Sequence, residues 1–552
     1  MAILHSIKIS HFRGIKEFSQ RFKDGLICII GRGDSGKSTL LEAISYVLSP
    51  NWNLIFYDSD FYQCNTEIPI TIEATLINIP NELLKDTKFG LHIRGINNQN
   101  KIVDEIEDEC KPALTIRLQV DANLEPIWNV INSKQEPSII SANDRARLNA
   151  YVIADYSDRH FSLAKGNPLY TVIKRTAQGQ LDQQGNIILN VLREVKDRID
   201  NGFDQFSDIN KHIKNTAADL GIELSSIKTA LDFKDITIKD NRVCLHENDI
   251  PIRLKGKGSK RLISLAIQLE LAKENGIIMI DEIEQGLEPD RVQHVVHKLS
   301  TYQNTQIFIT THSSNVLVEL SCKNLMLMRK GVSSLLEISN ELQGCLRSNP
   351  EAFFAKKVLV CEGATEIGIC RALNTFRISQ NKANISYQGI RFANGTGSNM
   401  IEYCIGFKKL GYDVCLFCDS DETKTNERKN ELIENGIKIV DADEKFALEN
   451  QIFNDLPWIG IKKAIELAIE LNGKDKIQDS INSFQILANW SDQDDPQVRQ
   501  KLGIIAKKNA WFKSTEYGEK LGGIICNYWK EMEETTKIKQ ELMSLSQWID
   551  GN

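Results

Sequence analysis

No stretch of this 552-residue chain is apolar for long enough to cross a membrane. Its longest apolar runs, such as Val358–Cys361, are strand-sized, which suits the core of a globular fold. The opening Met1-Ala2-Ile3-Leu4-His5 lacks the basic-then-apolar pattern of an export signal, so the expectation is a cytoplasmic protein with no membrane partner. Internal repeats and low-complexity tracts are missing as well. Nor is there an excess of positive charge: 67 Lys and Arg against 74 Asp and Glu leave a net charge of −7. That excludes nucleic-acid binding by bulk electrostatics and leaves only a local basic groove. Two clusters, Lys255 to Arg261 and Lys501 to Lys513, read either as such a groove or as solvated faces. A zinc pattern is lacking too. Cys415 and Cys418 form a CxxC, but they sit in an alternating apolar run with no second ligand pair. The other cysteines are scattered, and several lie in apolar runs, as reduced thiols do.

What is present suits an ordinary globular protein, with 41% hydrophobic and 26% charged residues. The length is enough for roughly two to four domains. The run Leu26-Ile-Cys-Ile-Ile30 leads into Gly31-Arg32-Gly33-Asp34-Ser35-Gly36-Lys37-Ser38 and then Thr39. This reads as a buried strand, a glycine turn and a helix starting near Lys37, the context a phosphate-binding loop needs. The glycines let backbone N–H groups converge on a β-phosphate. Lys37 is placed for the β/γ oxygens, Ser38 for Mg²⁺, and Thr39 adds a hydroxyl at the positive helix end. Cofactor expectations are therefore ATP and Mg²⁺ or Mn²⁺.

Farther on, Ile277-Ile-Met-Ile280 ends in Asp281-Glu282, a strand closing on two acids. Asp281 is the candidate Mg²⁺ partner and Glu282 the candidate for polarising an attacking water. Gln306 to Thr310 is another apolar strand, ending in Thr311-His312-Ser313, with His312 placed for a γ-phosphate. A loop with Gly258 and Ser259 precedes an expected helix over 261–274. In this order the motifs resemble the ABC-type ATPase head of chromosome-maintenance and RecF-like repair proteins, as does the opening Ile7-Lys-Ile-Ser-His-Phe12-Arg13-Gly14-Ile15. The resemblance implies a dimer in which Gly258 and Ser259 of one protomer close on the partner's nucleotide. Gln63 is its candidate Q-loop residue. The loop reads G-K-G-S-K-R where transporters have L-S-G-G-Q.

A second constellation lies in the last third. Val358 to Cys361 runs into Glu362-Gly-Ala-Thr-Glu366, and Val414 to Cys418 runs into Asp419-Ser-Asp421. Acids at the carboxyl edge of a parallel sheet share one crevice. Their repulsion is ordinarily relieved by a hard cation with oxygen ligands, able to activate water for phosphodiester attack. E-G-x-T-E followed by D-S-D resembles the Toprim domain of topoisomerases, primases and OLD-family (overcoming lysogenization defect) nucleases. An ABC-type head followed by Toprim is the OLD arrangement. That resemblance implies Glu362, Glu366, Asp419, Asp421 and Glu449 as metal ligands, and Lys513 as a cation for the transition state. Glu362 doubles as a catalytic candidate. Asn394-Gly395-Thr-Gly397-Ser398 resembles a structural glycine turn of that domain.

The expected fold is α/β, with a β-rich P-loop head, an inserted helical dimerisation arm, a Toprim domain with a parallel sheet, and C-terminal helices. Boundaries fall at 1–162 and 226–340 for the head, 163–225 for the arm and 350–552 for Toprim, with a linker near 339–351. The resemblance implies an ATP-regulated, metal-dependent DNA endonuclease of antiphage defence, acting as a homodimer or larger homo-oligomer. A co-encoded partner would be a helicase or a reverse transcriptase with its nucleic acid. A RecF-like clamp with a non-cleaving Toprim domain and a non-enzymatic scaffold are the other readings. A topoisomerase or primase would need a further domain that the remaining length does not show.

Overall fold

The computed structural model describes residues 2–105, 109–153, 158–161, 167–176, 204–231, 243–272, 276–302, 305–396, 399–484, 486, 491 and 493–551. The helix expected around Ile188 in the arm lies outside these residues, whereas Ser207–Asp219 is helical. The chain forms two compact units, Met1–Glu337 and Ile338–Asn552.

In the first unit, a six-stranded sheet runs in the order Ala150–Ile153, Ile277–Ile280, Gln306–Thr310, Leu26–Ile30, Leu325–Leu327, Leu336–Glu337. The first five strands are parallel, and the last pairs antiparallel. Leu26–Ile30, Ile277–Ile280 and Gln306–Thr310 are buried at every position, which is why they read as unbroken apolar runs rather than alternating ones. Register pairs Ile280 with Ile309 and Thr310 with Ile29, so these three strands end on one edge. An eight-stranded antiparallel sheet contains Ile3–Phe12, Ile15–Arg21, Ile70–Ile77 and Lys111–Val120. One of its faces and the P-loop helix Lys37–Leu48 share a core that includes Phe12, Leu41, Ile44, Ile72 and Ile116.

Two expectations are corrected here. The helix after the glycine-serine segment spans Lys257–Ala272, so Gly258 and Ser259 lie in its first turn rather than in a preceding loop. The expected linker is folded into the second unit. Leu342, Cys345 and Leu346 are buried, and Leu342 packs against Gly406 of the helix Met400–Lys409. Buried apolar side chains every three to four residues outweigh the polar look of the segment.

The second unit has a four-stranded, all-parallel sheet in the order Ile390–Asn394, Lys357–Cys361, Asp413–Cys418, Lys438–Asp441. Helices Leu448–Asp455, Trp458–Asn472, Lys474–Ser483, Pro496–Lys508, Thr515–Asn527 and Lys537–Asp550 follow it. Thr515–Asn527 crosses Ala364–Ser379 at Gly368 and Gly518, where any Cβ would strike the facing backbone. That close approach, with Thr365 Oγ1 donating to the Phe512 carbonyl at 3.1 Å, seats the turn carrying Lys513.

Candidate functional site

The strand Leu26–Ile30 delivers Gly31 into a turn that only glycine fits: φ is +153°, and a Cβ there would run into the Met328 carbonyl. Asp34 and Gly36 also take positive φ, curling the loop onto the helix start. Lys37 opens the helix and is 5% exposed. Its ammonium donates to the carbonyls of Gly31 and Arg32, each at 3.0 Å. Burial lowers the Lys37 pKa, opposed by the charges of Asp281, Glu282, Glu284 and Asp34. Arg32, Gly33, Asp34 and Ser38 are exposed at the mouth of the loop.

Distant segments meet at Asp281. Ser38 Oγ donates to Asp281 Oδ1 at 3.1 Å across 243 residues of sequence. Thr310 Oγ1 donates to the same oxygen at 2.5 Å and accepts the N–H of Glu282 at 2.8 Å. A serine hydroxyl and a carboxylate converging beside a phosphate loop form the donor set that Mg²⁺ takes with a nucleotide. Glu284, one of the residues the motif reading did not single out, accepts the His312 backbone N–H at 2.6 Å and Thr311 Oγ1 at 2.8 Å. It thereby holds His312 at the strand end.

Two candidates stand apart from this cluster. Gln63 is exposed in the turn Tyr62–Cys64, with φ +55°. The turn is tied to the first strand by the Phe12–Phe61 bridge and the Arg13 N–H to Asp60 carbonyl bond. Among the described residues, no hydrogen bond joins the side chains of Gln63 or Ser259 to the P-loop.

In the second unit, Glu362 and Asp419 leave adjacent parallel strands, and Glu362 Oε2 accepts the Asp419 N–H at 2.8 Å. Glu366, 6% exposed, accepts the Gly363 N–H at 2.8 Å. Asp419 Oδ1 accepts the N–H of Leu448 at 2.7 Å, docking the helix that carries Glu449, which is 8% exposed. Burial, then the charges of Asp419, Glu449 and Glu362, push the Glu366 carboxyl up to about 8. Burial and Asp419 push Glu449 up to about 7, with Lys513 opposing. Burial raises Glu362 and Asp419 too, and Lys507 opposes both shifts.

Lys513 is exposed and makes no ion pair among the described residues, although its charge reaches Glu449. The cation that does touch the acids is Lys507, paired with Asp421 and 3.8 Å from Asp419 Oδ2. Lys429 is a second one missed by motif reading, donating to the Asp419 carbonyl at 3.2 Å and to Ser420 Oγ at 2.7 Å. Gly395 donates to the Cys361 carbonyl at 2.7 Å, and Gly397 and Ser398 lie outside the described residues.

Beyond burial, the charge of Asp419 pushes up the Glu362, Glu366 and Glu449 carboxyls, and a divalent cation among these acids would relieve that repulsion. Glu362, Glu366, Asp419, Asp421 and Glu449 would hold it. Among the described residues, no three His, Cys, Asp or Glu side chains are drawn into a coordinating group. Backbone N–H groups and Lys507 engage the acids instead.

Residues 1–317 match the AAA ATPase domain family, and residues 353–421 match the overcoming lysogenization defect protein-like TOPRIM domain. Over 338 residues the chain is 22% identical to an ATP/GTP phosphatase of Helicobacter pylori, across 57% of this chain and 86% of that protein. Over 378 residues it is 23% identical to the DNA replication and repair protein RecF of Caldanaerobacter subterraneus, across 58% of this chain and 96% of RecF. It also aligns with the Smc head domain from Pyrococcus furiosus bound to the C-terminal domain of ScpA. There the TM-score is 0.37 and the identity 16%, over 62% of this chain and 97% of the head. Among the described residues, no helix is long and apolar enough to cross a membrane.

Proposed function

Since this chain belongs to the AAA ATPase domain family and fuses that domain to an OLD-like TOPRIM domain, the arrangement of an OLD-family nuclease, we propose that it is an ATP-regulated, metal-dependent DNA endonuclease. The head binds and hydrolyses ATP. Gly31 to Thr39 cradle the phosphates, with Ser38 and Asp281 on Mg²⁺, Glu282 orienting water and His312 facing the γ-phosphate. Gly258 and Ser259, with Gln63, complete the nucleotide site in a homodimer. The Toprim acids would hold Mg²⁺ or Mn²⁺, which would supply an activated water and neutralise the leaving oxygen. Glu362 would orient a water, and the exposed Lys513 would meet a DNA phosphate. Defence against phage, alongside a co-encoded helicase or reverse transcriptase, is the biological setting proposed.

The observation that carries this reading is the bond that the Asp419 N–H donates to Glu362 Oε2 at 2.8 Å between adjacent strand ends, with Glu366 and Glu449 also buried and their carboxyls pushed up by that burial and the Asp419 charge. A solvated acidic loop would not bury carboxylates at such cost. DNA cleavage with Mg²⁺ or Mn²⁺, lost in Asp419→Ala, is the test. The second reading, a RecF-like clamp with a non-cleaving Toprim domain, is favoured by the Lys507 ammonium seated on Asp421 and by the RecF match over the head. It expects DNA binding without cutting.

A further inference from the structure

Arg261 lies on the helix Lys257–Ala272, one turn beyond Gly258, and is 4% exposed. Its guanidinium fans across the turn that follows the acid strand. Nη2 donates to the carbonyls of Asp281 at 2.6 Å and Glu282 at 2.7 Å, and Nη1 donates to Gln285 Oε1 at 2.7 Å. Those two carbonyls lie beyond the strand end at Ile280, and the Glu282 carbonyl also accepts the Gln285 N–H at 2.9 Å. Glu282 has φ +45°, a left-handed conformation that a non-glycine residue holds only when its surroundings enforce it.

The turn is thus gripped from both sides. Thr310 holds the Asp281 carboxylate and the Glu282 N–H, while Arg261 holds the carbonyls of the same two residues. The helix that carries Arg261 approaches the turn closely a second time at Gly258, where a Cβ would come within 2.6 Å of the Gly286 carbonyl. A shift of the helix start therefore drags the backbone of both acids.

We propose that Arg261 is a positioning residue for ATP hydrolysis. It fixes the backbone from which Asp281 and Glu282 project, and it ties their aim to the position of the glycine-serine turn at the start of its helix. A planar fork with several donors suits three acceptors spread over one turn, which a lysine ammonium would satisfy only in part. Lys37 and the loop backbone make none of these bonds, so metal-free nucleotide affinity is independent of Arg261, whereas the rate of hydrolysis is not. This rests on the reading of Asp281 and Glu282 as the hydrolytic acids.

The experiment compares Arg261→Gln, Arg261→Lys, Glu282→Gln and the double variant Arg261→Gln/Glu282→Gln in the full chain. ATP turnover is measured beside the Kd for a fluorescent ATP analogue without divalent metal, with a thermal melt for each protein. Misplacement of a reacting group by about 1 Å costs on the order of 100-fold in rate. Arg261→Gln is expected to lower kcat by about that factor with Kd unchanged, Arg261→Lys to recover part of it, and Arg261→Gln to cost little more once Glu282 is gone. Wild-type kcat in Arg261→Gln, an equal loss in Kd, or full additivity with Glu282→Gln would each overturn the proposal and leave the acids' role standing. Unchanged turnover in Glu282→Gln would overturn both. If Arg261→Gln does not fold, exposed Gln285→Ala removes one of the three bonds alone; a several-fold fall in kcat at constant Kd supports the proposal, and no change overturns it.

Discussion

Glu362 Oε2 accepts the backbone N–H of Asp419 at 2.8 Å, so the first acid of one motif is bonded to the backbone of the other across neighbouring parallel strands. The two motifs are 57 residues apart in sequence. Their convergence follows from sheet order alone, since both strands end on one edge and Glu362 continues the ladder through its own N–H to the Phe417 carbonyl at 2.9 Å. Every consequence for the second unit starts from this pair.

Removing the P-loop cation is expected to cost nucleotide affinity. Lys37→Ala deletes an ammonium that is pre-placed by two loop carbonyls. Hydrogen bonds to charged groups contribute about 1.5–3 kcal/mol, so Kd for ATP should rise roughly 10- to 100-fold. Titration with a fluorescent ATP analogue checks this, and unchanged affinity would remove the loop from the mechanism.

Thr310 offers a cleaner test of how the acids are held. Thr310→Val keeps the shape of a fully buried side chain while deleting the bonds to Asp281 and the Glu282 N–H. Leaving those groups unsatisfied costs about 1–3 kcal/mol of head stability. Turnover should fall more than affinity, because Lys37 and the loop are untouched. A melt and a steady-state ATPase assay read both, and wild-type turnover would show that the Thr310 clamp has no catalytic consequence.

The buried glutamates make a signed prediction for pH. Glu366 at about 8 and Glu449 at about 7 lie above the unfolded value of about 4.3. The folded state therefore binds more protons in the window between. Their contribution to stability is fully present below the unfolded pKa and is lost as pH rises through the folded values. Glu366→Gln cannot ionise, so from about pH 5 to about pH 8.5 the second unit should lose less stability in the variant than in the parent. A difference of at least about 1 kcal/mol, or roughly 2–4 °C in melting temperature, is expected. Parallel pH profiles would argue that Glu366 is not held neutral by its neighbours.

How far the sequence alone reached depends on how local each signal was. The P-loop and both acid sets were legible because each is an apolar strand running directly into glycine or acid, and glycine spacing is itself the backbone requirement. Arg261, Glu284, Thr310 and Lys507 were not, since their roles arise from partners brought in by sheet order or helix packing. The motif points to Lys513, whereas Lys507, in the last turn of the helix Pro496–Lys508, is the cation that pairs with Asp419 and Asp421 among the described residues, and no local pattern encodes that helix's placement. The segment near 339–351 reads as a linker from its polar composition, yet Leu342, Cys345 and Leu346 are buried and Leu342 packs against Gly406, far along the chain.

The most direct test is cleavage of supercoiled, linear and single-stranded DNA with Mg²⁺ or Mn²⁺, with and without ATP, comparing the intact chain with Asp419→Ala. Metal-dependent cutting by the intact chain, abolished in a variant that keeps its melting transition and its ATP turnover, is the predicted result. Cutting that survives at full rate in Asp419→Ala, or DNA binding by the intact chain with no cutting under any of these conditions, would contradict the assignment of the Toprim acids as a nuclease centre.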